Sequence, residues 1–167
     1  MWRNAATIGG VVVLLGCTLW LVLIVSIRTQ LEPVLSFLRK MNRSLTNRMV
    51  MKKAGQPGSN ASVVRHKGRV SGASYETPVA VAVTDNGFAV PLPYGERPDW
   101  LKNLVAAGGG EVVHQGEIYA IDHPELVGAD RAEDFFGPKE RRTNRLYGLD
   151  RFLLVRSRVL ETETSGL

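Results

Sequence analysis

Between Ile8 and Ile27 the chain runs twenty residues without a charge, IGGVVVLLGCTLWLVLIVSI. At about 1.5 Å per residue, a helix of that length covers roughly the 30 Å of a bilayer's hydrocarbon. In lipid a helix satisfies its own backbone. Thr18 and Ser26 can each bond a carbonyl one turn back, so neither breaks the pattern. A buried core helix rarely stays apolar on every side for so long. A cleaved signal peptide has an apolar core of about 7–15 residues and ends in small residues. Here the run leads instead into Ile27-Arg28-Thr29-Gln30-Leu31-Glu32. The sequence therefore predicts an N-terminal transmembrane helix within residues 1–30.

Charge gives that helix a direction. Only Arg3 precedes the run, whereas Arg28, Arg39, Lys40, Arg43, Arg48, Lys52 and Lys53 follow it. An excess of cations on the C-terminal side predicts that this side stays cytoplasmic, making a single-pass protein of the cell membrane. From Arg28 to Arg69 there are ten basic residues against Glu32 alone, while Val70 to the end carries ten basic and fifteen acidic ones. The net charge of +5 is thus local to the membrane-proximal stretch, which is suited to anionic lipid headgroups. Nucleic-acid binding would need stacking aromatics among those cations, and Phe37 is the one aromatic there.

Residues 31–60 read as a basic amphipathic helix and a linker. Leu31, Val34 or Leu35, Leu38, Met41 or Asn42, Leu45 and Met49 recur at helical spacing, with Pro33 near the start where its missing donor does no harm. Such a helix lies either on lipid or on the following domain. Gly55-Gln56-Pro57-Gly58-Ser59-Asn60 then breaks the pattern. Residues 61–160 suffice for one core. Strand-like runs are Ala61–His66, Tyr75–Val83, Gly87–Leu92, Glu111–Gln115, Glu117–Ile121 and Arg151–Val159, with a hairpin signal at Asn86-Gly87. Helical pieces are Asp99–Ala107, Asp130–Phe136 and Lys139–Tyr147. This order predicts an α+β domain, a small antiparallel barrel with flanking helices. Residues 161–167 read as a frayed tail.

Several chemistries lack their residues. Cys17 is the single cysteine, and His66, His114 and His123 are scattered, so no metal site is expected. There is no Gly-x-Ser-x-Gly elbow and no phosphate-binding Gly-x-x-x-x-Gly-Lys loop. The Gly108-Gly109-Gly110 run reads as the end of one helix and the start of a strand.

Two segments are denser in special residues than folding asks. In Arg65-His66-Lys67-Gly68-Arg69-Val70-Ser71-Gly72 two glycines flank an Arg-x-Ser, and four cations fall within five residues if His66 is protonated. Such a loop is either a polar hairpin turn or a ring of backbone donors facing an anion. In Pro91-Leu92-Pro93-Tyr94-Gly95, leading to Asp99-Trp100-Leu101-Lys102-Asn103-Leu104, a rigid loop opens into a helix. That helix carries Trp100, Asn103 and Leu104 on one face. An asparagine there needs a partner, backbone or otherwise.

Taken together, Gly-Arg-x-Ser-Gly, the strand at Pro78-Val79, the turn at Gly95 and Trp-x-x-Asn-Leu resemble the deazaflavin-dependent nitroreductase and quinone reductase family of actinobacteria. The resemblance spans roughly residues 40–160 and omits the run at 8–27. It implies a split β-barrel of the flavin-reductase type and the 8-hydroxy-5-deazaflavin coenzyme F-420. By the resemblance, Lys67, Gly68, Arg69, Ser71 and Gly72 hold the coenzyme's anionic tail, and Pro78, Tyr94, Gly95, Trp100, Lys102 and Asn103 complete the site. The family often carries Lys where Val70 stands and Lys where Pro93-Tyr94 stand, and Arg65, Lys67 and Lys102 are the cations at hand to replace them. Reduced coenzyme would pass a hydride to a quinone such as menaquinone, or to a nitro or enone acceptor. Tyr147 is the candidate catalytic donor, and Phe135-Phe136 are pocket walls. Flavin mononucleotide ranks second as a cofactor, a fatty-acid-binding role is the alternative function, and a homodimer is compatible with the family.

Overall fold

A computed structural model describes residues 2–41 and 47–160 of the chain. The expected tail at 161–167, and residues 42–46 of the expected helix, lie outside the described residues. The apolar run forms α1 (Trp2–Arg28), followed by α2 (Glu32–Met41) and α3 (Asn47–Met51). Seven strands follow: β1 (Ser62–Lys67), β2 (Ser74–Val79), β3 (Ala82–Thr84), β4 (Gly87–Pro91), β5 (Gly109–His114), β6 (Glu117–Gly128) and β7 (Arg151–Val159). Between them lie α4 (Asp99–Ala107), α5 (Ala129–Ala132), a 3-10 turn at Glu133–Phe135 and α6 (Pro138–Tyr147).

The strands make one antiparallel sheet in the order β2-β1-β5-β6-β7-β4-β3. Its two edge strands, β2 and β3, are consecutive in sequence with only Ala80 and Val81 between them. Three peptide steps reach at most about 11 Å, so the sheet must curl until its edges meet at that corner. No ladder joins β2 to β3, and the result is a curled half-barrel in place of the split β-barrel expected. Pro78 sits on β2 opposite Val63, where an edge strand tolerates its missing donor.

Alternation along the strands builds a core on each face. Phe88, Val90 and Leu92 face inward with Leu153, Val155, Val64 and Val112, under Leu101 and Leu104 of α4. Ala89 and Phe152 face the other way and pack with Val127, Ala132 and Phe136. Turn chemistry fixes the registers. Gln115 and Gly116 both take positive φ, as a two-residue hairpin between His114 and Glu117 requires. The Gly55–Asn60 segment is stapled to that turn: Gly58 N–H donates to Gln115 Oε1 (2.6 Å), and Gln115 Nε2 donates to the Ser59 carbonyl (2.9 Å). It is not a free linker.

The transmembrane expectation is overturned. Among the described residues no single helix is long and apolar enough to cross a membrane. The apolar stretch Val12–Arg28 would reach only about 26 Å, and it is turned by 110° into the stretch Glu32–Leu38. Gln30, at φ +51°, makes the corner, with its Nε2 on the Ile27 carbonyl and Leu31 N–H on the Ser26 carbonyl. The last turns of α1 are spent on the protein itself. Ile24, Ser26 and Ile27 are buried, Leu35 of α2 is fully enclosed, and α1 packs against α6. Charge asymmetry and hydropathy report composition, and neither reveals such a corner.

Candidate functional site

The β1–β2 hairpin ends in the loop 68–73, closed by Gly68 N–H to the Ala73 carbonyl and Gly72 N–H to the Gly68 carbonyl, both 2.8 Å. Gly68 is required by its neighbours: a Cβ there would stand 2.4 Å from Ser71 Oγ and 2.8 Å from the Tyr75 ring. Gly72 is required by its conformation, at φ +67°. Ser71 Oγ meets Tyr75 OH at 3.1 Å and accepts Ala73 N–H. The amides of Val70 and Ser71 have no hydrogen-bond partner among the described residues, and the Val70 side chain is exposed.

Helix α4 lies against β1 and β5 and presents Asn103, only 6% exposed, to this loop. Asn103 Oδ1 accepts the Arg69 backbone N–H (3.2 Å) and Arg69 Nη1 (2.9 Å). Both Arg69 groups can only donate, which fixes the amide's orientation. Asn103 Nδ2 must then donate to His66 Nδ1 (3.2 Å), so the His66 proton sits on Nε2 and donates to Thr77 Oγ1 (3.3 Å). Arg69 also reaches Asp99 Oδ1 through both guanidinium nitrogens, at 3.4 and 3.3 Å. The two segments singled out in the sequence are therefore tied together through Arg69 and Asn103. His66 and Thr77 are the residues that sequence reasoning missed as parts of the tie.

His66 is a neutral strut, so it does not join the cations of the loop. Burial pushes its pKa below the usual histidine value, and its ring stacks on Tyr75 with centroids 5.7 Å apart. Arg65 is also committed elsewhere, to Glu76 at 2.9 Å and Glu111 at 3.5 Å. Lys67 and Lys102 are exposed, and their side chains make no hydrogen bond or ion pair among the described residues. They are the cations available to an incoming anion.

The remaining predicted residues are dispersed. Pro78 is half-buried in the edge strand and Trp100 packs on the main core. Gly95 takes φ +62° and backs onto Gln30, whose Oε1 would stand 3.1 Å from an added Cβ. Tyr94 is half-buried beside it in sequence. Tyr147 ends α6, the helix that packs on α1, and Gly148 after it abuts the Arg28 side chain. The structure thus places the helix that ends in Tyr147 against α1. Phe136 is core, its ring tilted at 47° to that of Phe152 with centroids 5.4 Å apart, while Phe135 is exposed. Two open clefts, of about 510 and 480 Å³, lie at the opposite end of β4 from the loop. They share Thr84, Asn86 and Arg156, with Tyr119 on one side and Phe135 on the other.

Neutral His66 carries a pH consequence. His114, bonded to Ser62 Oγ at 2.8 Å, is likewise lowered by burial, partly offset by Glu117. Both histidines bind protons more readily unfolded than folded, so stability is full above about pH 6.5 and falls as the pH drops below it. Urea midpoints should therefore be lower at pH 5.5 than at pH 7.5, and His66→Gln should flatten the difference. Equal midpoints for the wild-type chain would remove this account.

No protein family and no curated protein matches the chain. Among solved structures, the chain is similar to a crystal structure of a protein of unknown function from Agrobacterium tumefaciens. The likeness covers 71% of this chain and 58% of that one, at 12% identity and a TM-score of 0.38. The chain spans less than two thirds of that protein's length, and a likeness this low carries no argument about function.

Proposed function

We propose that the loop at Lys67–Gly72, docked on α4, binds the anionic tail of a deazaflavin coenzyme, and that the chain is an oxidoreductase delivering hydride from it to an apolar acceptor such as a quinone. The observation that carries this reading is the bond from Arg69 to buried Asn103. It joins the two segments through which the sequence resembles the deazaflavin-dependent family. The donor set fits an extended anion: Lys67 and Lys102 without ion pairs, the free amides of Val70 and Ser71, and Arg69 held at the junction.

When bound, the coenzyme would supply the hydride, and the protein's task would be to hold and orient it. Lys67, Arg69, Ser71 and Lys102 would hold the tail. Gly68 and Gly72 let the loop close tightly, and Asn103 fixes Arg69 in place. Tyr147 takes no part in this proposal, because α6 packs on α1.

The test is a titration of the full chain in mild detergent with coenzyme F-420, flavin mononucleotide and palmitate, followed by absorbance and intrinsic fluorescence. Binding of the deazaflavin at least about tenfold tighter than the flavin is expected, since the loop offers more donors than one phosphate uses. Palmitate binding with no deazaflavin signal would replace this reading with a lipid-carrier role.

A further inference from the structure

The least explained surface of the molecule is the free arm of α1. Val12, Leu14, Leu15, Leu19, Trp20 and Val22 are all exposed, from 49% at Trp20 to 71% at Leu19. Soluble monomers rarely show contiguous apolar patches beyond a few hundred Å². These side chains also point to every side of the helix, so one packed partner would leave much of the arm in water. Only a surrounding apolar medium covers all of it.

The hydroxyls from Thr18 on the arm to Ser26 and Thr29 at its base are already satisfied without water. Thr18 Oγ1 donates to the Leu14 carbonyl (2.8 Å), Ser26 Oγ to Val22 (2.6 Å) and Thr29 Oγ1 to Val25 (2.7 Å). Each bonds one turn back within the helix and needs no water. Beyond the corner, Leu31 and, on α2, Phe37 and Met41 are exposed while Leu35 is buried. From Trp2 to Met41 the charges are Arg3, Arg28, Arg39 and Lys40 against Glu32 alone. Glu32 is neutralised by Arg97.

We infer that the bent pair α1–α2 docks this protein on an anionic lipid surface, with the α1 arm immersed in the apolar layer and α2 lying along its polar margin, no helix crossing the bilayer. Three contacts hold the corner to the domain: Arg28 at Gly148, Gln30 at Gly95 and Glu32 with Arg97. The lipid surface therefore lies at the α6 end of the half-barrel, and the domain sits on it in a fixed orientation. This inference does not rest on the coenzyme reading.

Flotation of the full chain tests it, using vesicles of phosphatidylcholine with or without phosphatidylglycerol. The chain should float with both, and more with the anionic ones. A cation near an anionic surface is worth roughly a fivefold gain in partition. The double substitution Arg39→Gln with Lys40→Gln should therefore lower partition on anionic vesicles by about 25-fold. Cys17 lies exposed on the arm and serves as a probe. Its reaction with a water-soluble maleimide should be quenched by vesicles and restored on their removal. Two results would overturn the inference: wild-type chain that stays at the bottom of the gradient with both vesicles, or a stable lipid-free dimer in which Cys17 is already protected. The second assigns the arm to another copy of the chain.

Discussion

Replacing Gly109 by alanine is expected to cost about 3 kcal/mol of folding stability and to lower the melting temperature by roughly 6–12 °C for a chain of this size. Gly109 opens β5, paired with Asp122 on β6. A Cβ there would lie 2.2 Å from the Ile121 carbonyl oxygen and 3.2 Å from the Asp122 Cα. Both atoms belong to the neighbouring backbone, so no side chain can rotate away and the ladder itself must open. A Cβ on its neighbour Gly110 would likewise stand 2.5 Å from the Arg65 carbonyl oxygen and 2.9 Å from Leu104 Cδ1 of α4. Displacing β5 therefore also displaces the helix that carries Asn103. Gly108→Ala is the matched control: that residue caps α4 at φ +70° with open space around its Cα, so it pays only a left-handed penalty of about 1–2 kcal/mol. Thermal or urea unfolding of the two variants reads the difference. A Gly109→Ala protein as stable as Gly108→Ala would mean that β5 and β6 do not approach this closely.

That glycine run was legible because it combines a helix stop with a strand start, two local signals in adjacent residues. The same holds for most strands, whose alternation shows in the residues themselves. Local signals failed where the chain does something its residues do not favour. Strand β6 runs on to Gly128, well past Ile121, through a register shift between Asp122 and Glu125. Asp122-His123-Pro124 reads as a stop, yet His123 takes φ +50° and the ladder resumes beyond the bulge. Gln30 is a similar case. Glutamine is not a usual left-handed residue, and its side-chain bond to Ile27 and its seat against Gly95 come from tertiary structure. So the apolar run was readable as a helix, but not as one that turns a corner and folds its last turns onto the domain.

The candidate site divides in the same way. Glycine requirements in the loop follow from local geometry, whereas the Arg69–Asn103–His66–Thr77 chain links four positions on a hairpin, its loop and a helix. No spacing rule connects residues 34 apart. Whether His66 adds to the charge of its basic neighbours is undecided in the sequence, and burial between β2 and α4 makes it neutral.

Arg69→Ala is expected to weaken deazaflavin binding by about 10- to 100-fold while moving the melting temperature little. The binding loss corresponds to about one charge-assisted hydrogen bond, worth about 1.5–3 kcal/mol where water is displaced. The stability loss is smaller because the Arg69 side chain is 38% exposed and its Asp99 partner 56%, so solvent already screens that pair. The backbone bond from residue 69 to Asn103 survives the substitution, and the loop stays docked. Arg69→Lys should fall between wild type and alanine. An ammonium keeps the charge, but it cannot reach Asn103 and Asp99 together in the planar fork that the guanidinium uses. Raising the salt concentration should narrow the gap between wild type and Arg69→Ala, since the partly exposed Arg69 charge, which the variant lacks, acts through screened attraction. Unchanged coenzyme affinity in Arg69→Ala, with the melting temperature also unchanged, would show that the residue serves neither binding nor the fold, and the anion site would then have to be sought away from this loop.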